Sequence, residues 1–152
     1  MDIKTLANLI DWTRQLHAQL AECFTNNAAQ HDSELATALL EYLAEHESRI
    51  EHLVDEFEQQ ADSKAMHTYI YDHMAHTPLK TQRAFDVPYA ELSFDEICKE
   101  VIDYHEQVMN LYRSLISRTE IREGKELLES LLEMEKHEAM RLVRQTARMN
   151  EL

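Results

Sequence analysis

Residues 39–47 read LLEYLAEHE and residues 127–135 read LLESLLEME, two closely similar phrases in which an acid stands where an apolar side chain is expected. Glu135 follows Glu47 by 88 residues. Each acid extends a stripe of leucines recurring every three or four positions, the spacing that places side chains on one helical face. A second match, Leu9-Ile10-Asp11-Trp12 against Val101-Ile102-Asp103-Tyr104, runs at a spacing of 92. The order A, B, A′, B′ predicts a duplicated helical hairpin closing into a four-helix bundle. Carboxylates facing the axis of such a bundle need a metal, protons or each other.

Nothing else in the chain competes with helices. With one Gly and two Pro in 152 residues, it has few residues suited to tight turns and many suited to helix interiors. One all-α domain over 1–152 is expected. The net charge of −14 repels phosphate backbones and anionic headgroups, which argues against nucleic acid and membrane surfaces as partners. No apolar run approaches the roughly 20 residues that span a bilayer, and the opening MDIKTLANLI lacks a signal-peptide core, so a cytoplasmic location is expected. Cys23 and Cys98 lie on apolar helical faces without a CxxC pair, and read as buried free thiols.

The stripe Ile3, Leu6, Ile10, Thr13, His17, Leu20 and Phe24 predicts a first helix over about 3–26. Asp32 or Ser33 caps a second over about 33–60, whose inward face carries Leu43, Glu47, Ile50, Val54 and Phe57. The pattern breaks over 61–92, where Asp62 or Ser63 caps a short helix that Pro78 bars from continuing. So long a connection is what a crossover needs when the helices on either side run parallel. A capping box, Ser93-Phe94-Asp95-Glu96, opens a third long helix over about 93–118 that presents Val101, His105, Val108 and Tyr112. The fourth, over about 120–149, turns Leu128, Leu131 or Leu132, Glu135, Glu138 or Ala139, Leu142 and Met149 inward. Arg141, Arg144 and Arg148 near its end suit the negative pole of the helix dipole.

Two related hairpins, a long crossover and inward acids on the second and fourth helices resemble the ferritin-like superfamily, nearest to the rubrerythrin-type bundles. The resemblance covers nearly the whole chain. It implies two irons held by a Glu on the first and third helices and a Glu-x-x-His on the second and fourth. Carried over by the repeat, these positions fall on Thr13, on Glu47 with Ile50, on His105, and on Glu135 with Glu138. Only Glu47 and Glu135 keep the family's residue type. A symmetric di-iron centre is therefore not expected. Glu47, His105, Glu135 and Glu138 still offer one imidazole and three carboxylates, a set suited to a single iron, manganese or zinc ion. The alternative is a proton-sharing network without metal, because a Glu–His⁺ pair costs far less to bury than a lone charge. A slip of register on the fourth helix would instead turn Glu133 and His137 inward.

Beyond this layer, His17 sits one turn from Thr13 on the same stripe and reads as a satisfied buried histidine or a ligand. His46 and His52 read as flanking or surface residues, and His67, His73 and His76 as exposed crossover histidines. Met66, Met74, Met109 and Met134 read as core filling. Leu9, Trp12, Ile102, Tyr104, Met109 and Leu111 exceed what one seam can bury, which predicts a homodimer.

The expected protein is a ferritin-like bundle with a modified metal-site layer, vacant or holding one ion, in a non-catalytic binding or scaffold role. The alternative is an iron or manganese oxidoreductase of oxidase or peroxidase type, with Tyr112 as a nearby phenol. It would need a separate electron donor, since the chain has no rubredoxin-like CxxC pairs.

Overall fold

The computed structural model describes residues 3–70 and 85–151. His73, Met74, His76 and Pro78 lie outside them. Four long helices carry the fold: α1 (Leu6–Ala28), α2 (Glu34–Gln60), α4 (Phe94–Arg118) and α5 (Arg122–Asn150), with a one-turn α3 (Ser63–Met66) and a 3₁₀ turn at Tyr89–Glu91 between α2 and α4. The bundle is all-helical, as the stripes predict.

The helices start where side chains replace missing backbone partners. Thr5 and Asn8 form a capping box on α1, and Ser33 receives the Ala36 amide at α2. Asp62 caps α3, and Ser93 with Glu96 forms the capping box read from the sequence. Helix α1 begins later than its apolar stripe because the residues before it pair with the crossover. Leu6 N donates to Thr68 O at 2.9 Å, and Ile70 N to Lys4 O at 2.7 Å.

The same contacts fix the crossover's direction. Its beginning lies beside the start of α1. Its end lies beside the end of α1, where Phe24 meets Tyr89 edge to face, Ala90 N donates to Asn27 Oδ1, and a His31 ring nitrogen donates to Leu92 O at 2.7 Å. The two described ends of the crossover therefore sit at opposite ends of the bundle, and α4 runs parallel to α2. Pairwise packing is closest within α1–α2 and α4–α5, the two hairpins, with α2 also against α5.

The one glycine has a packing role. A Cβ at Gly124 would lie 2.5 Å from Thr68 Oγ1, so only a bare backbone lets the crossover pass this close to α5.

Leu9, Tyr104, Met109 and Leu111, counted above as surplus for a dimer, are buried within the chain, and Trp12 is partly buried against the core. Ile102 does stay exposed, joined by Met140 and Val143. Cys23 and Cys98 are free and partly buried. No helix among the described residues is long and apolar enough to cross a membrane.

Candidate functional site: a histidine–glutamate ring in the bundle core

Each long helix sends one polar residue to a common level of the core: His17 from α1, Glu47 from α2, His105 from α4 and Glu135 from α5. All four are buried to within one per cent. The inward register on α5 is thus the one with Glu135 and Glu138, since Glu133 and His137 face solvent.

The four side chains form a ring in which imidazoles and carboxylates alternate. His17 reaches Glu47 Oε2 through Nδ1 at 2.5 Å and Glu135 Oε1 through Nε2 at 3.1 Å. His105 reaches Glu47 Oε1 through Nε2 at 2.7 Å. The fourth contact, His105 Nδ1 to Glu135 Oε2, stands open at 3.7 Å, and both of its atoms are buried without a hydrogen-bond partner. The imidazoles are nearly parallel.

The three hydrogen bonds use both ring nitrogens of His17, as a cationic imidazole between two carboxylates would, and one nitrogen of His105. Two carboxylates present four acceptor oxygens, and two imidazoles present four N–H donors only when both are cationic. Burial, the largest influence on each group, disfavours every charge here; mutual attraction outweighs it. His17 is held up at about 9 by Glu135 and Glu47, and His105 at about 10. The two imidazoliums in turn hold Glu47 and Glu135 well below the usual carboxylate range. The ring is thereby two cations and two anions with no net charge, the condition under which buried ions are tolerated.

Around it the structure sorts the other candidates. Thr13 and Tyr112 are buried and hydrogen-bond each other, leaving Thr13 outside the ring although the repeat assigns it to the site. Burial raises the Tyr112 phenol's pKa, with Glu135 adding to the effect. Ile50 is fully buried among apolar side chains. Glu138 is buried but turns to Arg49, whose Nε donates to its Oε1 at 3.1 Å from a half-exposed position.

His46, read as flanking or surface, is buried. Its ring meets that of His105 edge-on at 5.7 Å. Desolvation lowers it to about 4, against the pull of Glu47. It is therefore a neutral histidine beside a charged ring. His52 remains exposed.

The sequence carries a signal for the place of His17. His105 follows His17 by 88 residues, the spacing that relates Glu47 and Glu135, and Leu16-His17-Ala18-Gln19 parallels Tyr104-His105-Glu106-Gln107. The match at 92, carried by Asp11 and Asp103, drew the alignment one turn away.

No family model matches the chain. No curated protein matches it either. Among solved structures, a crystal structure from Thermotoga maritima, provisionally described as a ferritin-like diiron-carboxylate protein, superposes with a TM-score of 0.56 at 12% identity. The match covers 94% of this chain and 95% of that one. The fold is thus a ferritin-like helical bundle.

Two irons of the diiron-carboxylate kind do not fit this layer. Ile50 offers no donor, Glu138 is engaged by Arg49, and both nitrogens of each ring histidine face carboxylates, whereas an imidazole ligates through one. Among the described residues no group of three or more His, Cys, Asp or Glu side chains is arranged to hold a metal ion.

Proposed function

We propose that this chain is a ferritin-like bundle in which a hydrogen-bonded His–Glu ring replaces dinuclear metal chemistry, and that it acts as a binding or scaffold protein rather than an oxidoreductase. The observation that carries the reading is that both ring nitrogens of His17 and one of His105 are directed at the carboxylates of Glu47 and Glu135, which joins all four helices through three hydrogen bonds. Such a cluster ties all four helices together and specifies their axial register, the best-attested use of buried ionic groups. The rubrerythrin-type assignment is part of this proposal only as ancestry of the layer. An oxidoreductase also needs a route to its centre, and of these four buried side chains only His105 borders a cleft, the one between α4 and α5.

One observation favours a second reading. The open edge between His105 Nδ1 and Glu135 Oε2 leaves two buried polar atoms unpartnered. A single iron, manganese or zinc ion bound by His17, Glu47, His105 and Glu135 would replace two protons by two positive charges and leave the layer neutral. It would supply Lewis-acid or redox chemistry there, at the cost of the hydrogen bonds just described.

Elemental analysis of protein made in metal-replete medium and purified without chelator separates the two. The ring predicts far less than one equivalent of any transition metal and imidazole nitrogen resonances of doubly protonated rings at neutral pH. A stoichiometric metal lost on Glu135→Ala would overturn it.

A further inference from the structure

The last third of α5 concentrates positive charge on an acidic protein. Arg141, Arg144 and Arg148, with His137 one turn earlier, line a concave cleft of about 570 Å³ whose other wall is Tyr42 of α2. His137 and the three arginines are exposed, and the arginines make no ion pair with the described residues. Gln145 adds an amide between them.

Helix polarity accounts for little of this. Only Arg148 falls in the final turn, and the dipole's influence fades within it. Arg141 and Arg144, one turn apart, repel each other, as do Arg144 and Arg148. Guanidiniums gathered in a concavity without an ion pair among the described residues, in a chain of net charge −14, form a local attractor for anions.

We propose that this cleft binds a compact polyanion of the phosphate class, a di- or triphosphate. The arginines step about 4.5 and 6 Å along the axis, so their planar forks can converge on neighbouring phosphate groups, each grasped through paired N–H donors. The Tyr42 hydroxyl and Gln145 amide supply neutral hydrogen bonds at the wall. A long phosphate backbone would extend beyond the cleft into the repulsion of the remaining acidic surface, so a short anion is selected over nucleic acid. The site lies outside the ring and deepens the binding role proposed above, resting on that reading only in giving the bundle a ligand. Metal content tests the ring, and anion titration tests the cleft.

The test is calorimetric titration of the full chain with inorganic triphosphate, diphosphate and monophosphate at low salt, beside a hexaglutamate peptide. Triphosphate is expected to bind at one site, at least about tenfold more tightly than monophosphate, and to weaken as salt rises. Arg141→Gln/Arg144→Gln should weaken it by about tenfold or more without lowering Tm. Lys136→Gln should bind it as the wild type does. Undetectable triphosphate binding at millimolar concentration, equal affinity in the double-arginine variant, or tighter binding of hexaglutamate would each overturn the proposal.

Discussion

The imidazoles of His17 and His105 lie 16° from parallel with their centroids 6.0 Å apart, and the carboxylates of Glu47 and Glu135 bridge them from either side. Two cations are thereby separated by anions rather than by solvent. Loss of any one member leaves a buried charge uncompensated, and this governs the variants below.

Glu135→Ala should destabilise the bundle by about 3–5 kcal/mol, because it opens a cavity and strips both imidazoliums of a partner. Glu135→Gln should cost distinctly less, since the amide keeps the volume and can face its oxygen to His17. It should also release one imidazole proton, as its NH₂ needs an acceptor on His105. Denaturant unfolding and NMR titration at neutral pH check both. Equal losses in the two variants would show that the ring's charges contribute nothing beyond packing.

Stability should peak near pH 6.5 and fall faster on the alkaline side. The ring histidines have folded pKa values raised to about 9 and about 10 from 6.5, so their contribution is complete below 6.5 and is lost as pH climbs through the raised values. Two protons give a slope of about 2.8 kcal/mol per pH unit on that limb. His46 works oppositely: lowered to about 4, it costs stability as pH falls below 6.5, at about half that slope. The ring carboxylates hold their contribution above the ordinary value of 4.5 and lose it under stronger acid. Unfolding free energy measured from pH 5 to 9, above the carboxylate range, tests the shape. An alkaline limb no steeper than the acid limb would contradict cationic ring histidines.

Gly124→Ala should lower stability by about 1–3 kcal/mol despite alanine's better helix propensity. The added Cβ meets Thr68 Oγ1 at 2.5 Å and Thr68 Cγ2 at 2.8 Å, and Thr68 is a short, buried side chain whose hydroxyl donates to Lys64 O. Thr68→Ala in the same molecule should recover most of the loss. A neutral or stabilising single substitution would mean that the crossover does not pack here as described.

Self-association is expected through the face shared by α4 and α5. Ile102, Met140 and Val143 are exposed there, around an apolar cleft of about 540 Å³ floored by Met109 and Leu142. Light scattering at micromolar concentration should give a dimeric mass, and Met140→Lys/Val143→Lys a monomeric one. A monomeric wild type would rule this face out as an interface.

Much of the architecture was legible because it is local. Leucine spacing, the caps at Ser33, Asp62 and Ser93, and the long break before Ser93 depend on residues within a few positions of one another, and all reappear in the structure. Glu47, His105 and Glu135 could be singled out because polar side chains inside apolar stripes stand out in any register.

Periodicity settles which face of each helix turns inward, and it puts His17, Glu47, His105, Glu135 and Glu138 on those faces. Which of them share a level is set by how the helices pack. Thr13 and His17 occupy one stripe a single turn apart, about 5.4 Å along the axis, and periodicity treats them alike. The axial stagger of α1 against α2 and α4 sets His17 between Glu47 and Glu135 and leaves Thr13 to Tyr112. His46 is hidden for a related reason. It neighbours Glu47 in sequence, but a helix packed on two sides buries a wider arc than one stripe, and that width depends on how the other helices close around it.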